Sequence, residues 1–150
     1  MKKNKLYLDV CTLCRLYDDQ SQLRVRLETE AVLMILDKIK NGYYEMIYSS
    51  VHSVEIEAIN EHEEQSNLLI LLNDFGVKTK TNPKELKEFA QNLINDFKIG
   101  IADSAHLAVA EFNSDYFISC DDKLLRKAEK LKLKVKCVNP IQFLVMENLK

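Results

Sequence analysis

Short apolar runs alternate with longer segments of helical periodicity along this chain. The runs KLYLDV (Lys5–Val10), EMIYS (Glu45–Ser49) and DYFISC (Asp115–Cys120) predict buried strands, whereas Leu23–Asn41 has the three-to-four-residue apolar spacing of a helix. Helical segments separate successive strands, as parallel strands require. The alternation therefore predicts an α/β fold with three layers, in which helices cover both faces of a mostly parallel central sheet.

The composition favours a folded protein without a membrane segment. Hydrophobic residues make up 47% of the 150 residues and charged residues 29%, and neither a linker nor a repeat divides the chain. We therefore expect a single domain over residues 1–150. No apolar run reaches the roughly 18 residues of a membrane span, and the opening MKKNKLYLDV lacks the apolar core of a signal peptide. These features predict a cytoplasmic protein with no membrane partner.

Two further features exclude or leave open other classes. The net charge of −2 lacks the strongly basic footprint of an autonomous nucleic-acid-binding domain. Cys11 and Cys14 form a CxxC pair, whereas Cys120 and Cys137 lie too far apart to complete a typical zinc site. A redox pair remains an alternative, but we interpret the cysteines as small, mainly buried side chains.

Four carboxylates occur where a parallel sheet gathers side chains at one edge. Asp9 and Asp121 end predicted strands, and Glu55 and Asp103 lie in early turns of predicted helices. Strand ends and the starts of the following helices meet at the same edge of such a sheet. We therefore predict that the four side chains converge. Glu55 is chosen over Glu57, which points to another side of its helix.

Several of these positions also have structural interpretations. Asp9 is a good cap for the following turn, and Glu55, beside a predicted inward-facing Val54, could be an ordinary exposed helix residue. We interpret His52 as a surface residue and His106 as mainly structural, since no second histidine of that kind accompanies it.

Converging carboxylates repel one another, and a hard divalent cation relieves that repulsion. Oxygen-only ligands suit Mg²⁺ or Mn²⁺ rather than zinc. Such a site suits phosphodiester hydrolysis, because the metal neutralises charge on the phosphoryl oxygens and lowers the pKa of bound water. A carboxylate can then orient or deprotonate that water.

The order and context of the four acids carry a family resemblance. The segments are YLDVC at Asp9, SSVHSVEIEAI at Glu55, IADSAHLAVAE at Asp103 and FISCDDKLLRKA at Asp121, and together they span nearly the whole chain. They resemble the PIN domain, particularly the VapC-type toxin ribonucleases. The resemblance implies an endoribonuclease that hydrolyses RNA with Mg²⁺ or Mn²⁺ held by these four acids. It also implies a homodimer that acts as the toxin of a type II toxin–antitoxin pair, inhibited by a small antitoxin protein.

Supporting positions partly follow that family pattern. Ser119 supplies the hydroxyl usual two residues before the last acid. Two residues after the first acid, where Asn or Ser is common, this chain has Cys11, followed by Thr12. A further acid usual beyond the fourth is replaced by Leu124, with Asp122 as a substitute. These departures keep open a second function, a catalytically weak PIN-like module that binds RNA or protein.

Basic residues beside the fourth acid predict contacts with the RNA backbone. They are Lys123, Arg126 and Lys127, with Arg15 and Arg24 as helpers. An ordinary solvated helix face is the alternative interpretation of these residues.

A phosphotransfer domain also uses an aspartate at a strand end. A haloacid dehalogenase needs a second Asp where this chain has Cys11. A response regulator needs its acidic pair at the first strand, whereas the pair here is Asp121 and Asp122. Both classes therefore fit the sequence less well than the nuclease.

Overall fold

The computed structural model describes residues 2–79 and 82–149. Within these ranges the strands form one sheet in the order β3-β2-β1-β4-β5, and every neighbouring pair is parallel. The strands are β1 (Asn4–Leu8), β2 (Tyr44–Tyr48), β3 (Gly76–Lys78), β4 (Tyr116–Ile118) and β5 (Lys136–Val138). The helices are α1 (Val10–Cys14), α2 (Leu23–Lys40), α3 (Ser50–Glu57), α4 (His62–Phe75), α5 (Pro83–Phe97), α6 (Ile101–Asn113), α7 (Asp122–Glu129) and α8 (Pro140–Met146). The predicted α/β class is confirmed.

The central strand β1 is buried on both faces of the sheet. Successive side chains of a strand point to opposite faces, so Leu6 and Leu8 enter one apolar core while Tyr7 enters the other. The first core contains residues of α2, α4 and α8, and the second contains residues of α5, α6 and α7. The sheet is therefore the middle of three layers, as the sequence predicts.

The order of the strands places a crevice between β1 and β4. These strands are neighbours, with Leu8 opposite Ile118, but the chain leaves them toward opposite edges of the sheet. Ligands of open α/β sheets bind beyond the carboxyl ends of strands at such a switch point. Asp9 follows β1 directly, and its backbone N–H donates to the carbonyl of Ile118 across 3.2 Å. The fold thus brings the segments after β1 and β4 together.

Helix α6 crosses the second core and begins at the same edge of the sheet. Gly100 is its N-cap, and Leu107 and Ala108 are buried beneath it. The helix is not buried on every side, although its apolar sequence suggests that it would be, since Ile101 is 78% exposed. The first turn therefore reaches solvent, which leaves Asp103 at the border between core and water. None of the helices in the described ranges is long and apolar enough to cross a membrane.

Candidate active site

Asp9 is both a helix cap and a candidate ligand. It is buried at the N-cap of α1, and its Oδ1 accepts hydrogen bonds from the Thr12 N–H at 3.1 Å and the Thr12 hydroxyl at 2.6 Å. The Cys11 thiol donates to the same oxygen at 3.1 Å. These donors fix the carboxylate and leave Oδ2 without a hydrogen bond from the described residues. The capping interpretation is therefore confirmed, and it leaves one oxygen for a ligand.

Asp121 is held in a similar way at the end of the neighbouring strand. It is the N-cap of α7, where its Oδ1 accepts from the Leu124 N–H at 3.1 Å. Its own N–H donates to the hydroxyl of Ser119, a fully buried residue, at 3.0 Å. The Cys11 sulfur lies 3.9 Å from that same hydroxyl oxygen. Ser119 thus connects the segment carrying Asp121 with the segment carrying Asp9.

Asp103 is a half-buried carboxylate that accepts no hydrogen bond from the residues the structure describes. It lines a cavity of about 150 Å³ together with Asp121, Lys123 and Lys127. Burial raises the pKa of Asp103, and the negative charges of Asp121, Asp9 and, more weakly, Glu55 raise it further. Asp121, Asp9 and Glu55 therefore lie within electrostatic range of Asp103. A partly desolvated carboxylate among other carboxylates is a position that favours a cation.

Glu55 is bound by a histidine that the sequence interpretation regarded as mainly structural. The Nε2–H of His106 donates to Glu55 Oε1. This hydrogen bond lowers the pKa of Glu55, against the opposing effect of burial. His106 is itself buried on α6, one turn after Asp103. Glu55 is accordingly half-buried, whereas Glu57 is exposed, which agrees with the choice between the two.

The predicted surroundings of Glu55 on α3 were wrong at two positions. His52 is fully buried rather than on the surface, and Val54 is 67% exposed rather than inward-facing. The cause is a capping box, in which the Ser49 N–H donates to His52 Nδ1 at 3.1 Å while Ser49 caps α3. His52 Nε2–H donates in turn to the carbonyl of Leu8 at 2.7 Å. This docking turns His52 and Ile56 inward and Val54 outward.

An ion-pair network occupies three residues that the sequence assigned to the site. Arg24 binds both oxygens of Asp122, at 2.6 and 2.7 Å, and its guanidinium lies 3.5 Å from Glu28. Arg15 donates to Glu28 at 3.0 Å and to Asp18 at 2.7 Å. Asp122 is therefore paired with an arginine, and the two arginines are engaged by carboxylates. Glu28, only 2% exposed, was missed; its spacing from Arg24 was the available signal.

The four cysteines lie in different surroundings. All four are free thiols, and Cys11 is exposed beside Asp9 rather than buried in the core. Although the residue as a whole is exposed, its thiol is partly desolvated against the protein, and this desolvation and the nearby Asp9 raise the pKa of the Cys11 thiol, which keeps it protonated as a hydrogen-bond donor. Cys11 therefore orients Asp9 through this hydrogen bond.

The donors at this sheet edge are carboxylate oxygens, which suit Mg²⁺ or Mn²⁺. Among residues 2–79 and 82–149, no three His, Cys, Asp or Glu side chains stand together as a ready-made metal-binding group. Mg²⁺, however, usually keeps several waters and is held by one or two carboxylates. Asp103 and Asp121 share a cavity, and Asp103 lacks any other partner among those residues. The donor set therefore fits a hydrated ion and not a closed four-ligand cage.

Comparison with known proteins gives a likeness at the level of fold. No family model and no curated protein sequence matches the chain. Among solved structures it is similar to the crystal structure of FitAcB from Neisseria gonorrhoeae, with a TM-score of 0.55 and 13% sequence identity. The match covers 91% of this chain and 98% of that chain. The likeness supports a PIN-like fold over almost the whole chain.

Proposed function

We propose that this protein is a metal-dependent endoribonuclease that hydrolyses RNA phosphodiester bonds, as the toxin of a type II toxin–antitoxin pair. The observation that carries the proposal is the shared cavity of Asp103 and Asp121 beyond the carboxyl ends of β1 and β4, with Asp9 and Glu55 in electrostatic range of Asp103. The fold likeness to FitAcB supports it. The toxin assignment, the antitoxin and the homodimer rest on the sequence resemblance to VapC-type ribonucleases.

Each acid has a distinct part in this proposal. Asp103 and Asp121 are the principal ligands for Mg²⁺ or Mn²⁺, since they line one cavity, and Asp9 contributes its free Oδ2. Such an ion, when bound, neutralises charge on phosphoryl oxygens and lowers the pKa of a coordinated water. Glu55 is the fourth ligand of that ion and would also orient the attacking water.

The RNA backbone is proposed to lie on the α7 side of the acids. Lys123 and Lys127 line the same cavity as Asp103 and Asp121, and the Lys127 ammonium is held at 3.0 Å from the Lys98 carbonyl. These lysines can neutralise the phosphates next to the scissile bond. Arg126 lines a different cavity and is proposed as a more distant contact.

Cleavage of a mixed RNA pool tests the proposal. Wild type is incubated with Mg²⁺, Mn²⁺ or EDTA and compared with Asp103→Asn and with a control, Glu57→Gln, which changes an exposed acid on α3. We expect metal-dependent cleavage that is lost in EDTA and in Asp103→Asn and kept in Glu57→Gln. Equal cleavage by wild type and Asp103→Asn would contradict the proposal.

A silent binding module is the second candidate. It is favoured by the lack of a three-ligand group in the described residues and by the engagement of Glu55 with His106. Such a module would bind RNA or a protein without Mn²⁺ and without cutting. Measurement of Mn²⁺ affinity separates it from a nuclease with a narrow RNA target, which would bind the ion and leave a mixed pool uncut.

A further inference from the structure

Buried polar side chains form a continuous chain of contacts that ends at Glu55. The Tyr7 hydroxyl lies 3.1 Å from Ser49 Oγ and also contacts His106 Nδ1. His106 then donates through Nε2–H to Glu55 Oε1. Tyr7, His106 and Ser49 are all buried, with exposed fractions of 0%, 2% and 5%. Glu55 is the member at the solvent-facing end.

This chain of contacts begins and ends on α3 and its N-cap, the segment that carries Glu55. Ser49 caps α3, so the first and last members of the chain, Ser49 and Glu55, belong to the same short segment. His52 strengthens the closure, because it accepts from the Ser49 N–H and donates to the Leu8 carbonyl. The rings of Tyr7, His52 and His106 pack against one another, with centroid separations of 4.6, 5.0 and 5.5 Å.

The same contacts join three elements that carry site acids. Tyr7 lies on β1, two residues before Asp9, and His106 lies on α6, one turn after Asp103. Their hydrogen bonds therefore relate the position of Glu55 to those of Asp9 and Asp103. Hydrogen-bonded polar groups in a core add little net stability over apolar groups of the same shape. Their arrangement here points to orientation of Glu55 as well as to packing.

We propose that His106, oriented by Tyr7 and Ser49, is a positioning residue for Glu55. It holds Oε1 so that Oε2, which accepts no hydrogen bond from the described residues, is left free for a cation bound among the acids. His106 is too deeply buried to contact RNA, so it acts through Glu55. This inference rests on the proposed metal-dependent function and assigns part of its geometry to residues outside the four acids.

Three variants and one matched control test the inference. Tyr7→Phe removes one hydroxyl, and His106→Leu removes the donor to Glu55. His106→Gln restores a donor near the position of Nε2. The control is Tyr116→Phe, which removes a hydroxyl from another buried tyrosine, one that donates to Glu147 at 2.8 Å. Mn²⁺ affinity is measured by electron paramagnetic resonance at one fixed pH, beside thermal unfolding without metal.

We expect Tyr7→Phe and His106→Leu to weaken Mn²⁺ binding by about 10-fold or more, the usual effect of losing an outer partner of a metal ligand. His106→Gln should recover most of the affinity, and Tyr116→Phe should keep the wild-type value. Wild-type Mn²⁺ affinity in folded Tyr7→Phe and His106→Leu, even with lower melting temperatures, would overturn the inference and leave a purely structural role. Absence of Mn²⁺ binding in wild type would overturn both the proposed function and this inference.

Discussion

Asp103 and Asp121 line one cavity at the edge of the sheet, and the charge of Asp121 contributes to the raised pKa of Asp103. A carboxyl whose pKa is higher in the folded than in the unfolded protein stabilises the fold below its ordinary pKa. That contribution is lost as the pH rises through the folded pKa. Without metal, ionised Asp103 therefore destabilises the protein at neutral pH. Folding therefore places these acids at one edge at a cost in stability, which a bound cation would offset.

Asp103→Asn is accordingly expected to stabilise the metal-free protein. At pH 7 in EDTA its melting temperature should rise by a few degrees, because about 1 kcal/mol shifts a domain of this size by about 2–4 °C. The difference should shrink as the pH falls toward 3.8, the ordinary pKa of the group. Asp96→Asn, at an exposed position of α5, is the control and should change little. A lower melting temperature for Asp103→Asn at pH 7 would count against this electrostatic account.

The buried His52 is expected to lower the stability of the protein in mild acid. Burial and the nearby His106 lower the pKa of His52 from 6.5 to about 3. Below pH 6.5 the unfolded protein therefore binds a proton at this histidine that the folded protein does not bind. The free energy of unfolding consequently falls as the pH drops from 6.5 toward 3. Between pH 6.5 and 4.5, His52 should lower the free energy of unfolding by about 2 kcal/mol.

His52→Gln provides the comparison for that pH dependence. Glutamine can accept the Ser49 N–H in the same capping box but does not titrate. Urea unfolding at several pH values should show a shallower decline for His52→Gln than for wild type. Parallel declines would show that His52 is not the group responsible.

The contributions of Glu28 and Arg15 to the free energy of unfolding are expected to be strongly coupled. Glu28 is buried, and Arg15 donates to it at 3.0 Å. Arg15→Met should lower the free energy of unfolding by about 2 kcal/mol, because a buried carboxylate loses a partner while Arg24 remains nearby. Arg15→Met combined with Glu28→Leu should recover part of that loss. Additive losses in the double-mutant cycle would contradict the proposed coupling.

Lys123 and Lys127 are expected to contribute to RNA binding beside the acids. In the Asp103→Asn background, Lys123→Gln and Lys127→Gln should each weaken binding and reduce the salt dependence of the affinity by about one phosphate contact. Lys130→Gln is the matched control, since Lys130 lines a different cavity. A change as large for Lys130→Gln would indicate general electrostatic attraction rather than a phosphate position beside the acids.

The fold class followed from local patterns. Alternating strands and helices predicted the parallel sheet, and the strand pattern predicted that the segments carrying Asp9 and Asp121 follow neighbouring strands at one edge of the sheet. These features depend on neighbouring residues and on general rules of α/β topology.

The surroundings of the acids depended on contacts between distant segments and were predicted less well. The burial of His52 arises from its bonds to Ser49 and Leu8, and helical spacing alone favoured Val54 instead. The engagement of Glu55 by His106 joins α3 to α6, which no local pattern indicates. Asp122 lies beside Asp121 in sequence, but its pairing with Arg24 required the packing of α2 near α7.

Binding of Mn²⁺ to the metal-free protein tests the central claim most directly. Electron paramagnetic resonance titrations should compare wild type with Asp103→Asn, Asp121→Asn and the exposed control Asp96→Asn. The four-carboxylate account predicts saturable binding in wild type and Asp96→Asn, with affinity reduced by about 10-fold or more in the two site variants. Affinity as weak in wild type as in Asp103→Asn and Asp121→Asn would contradict it.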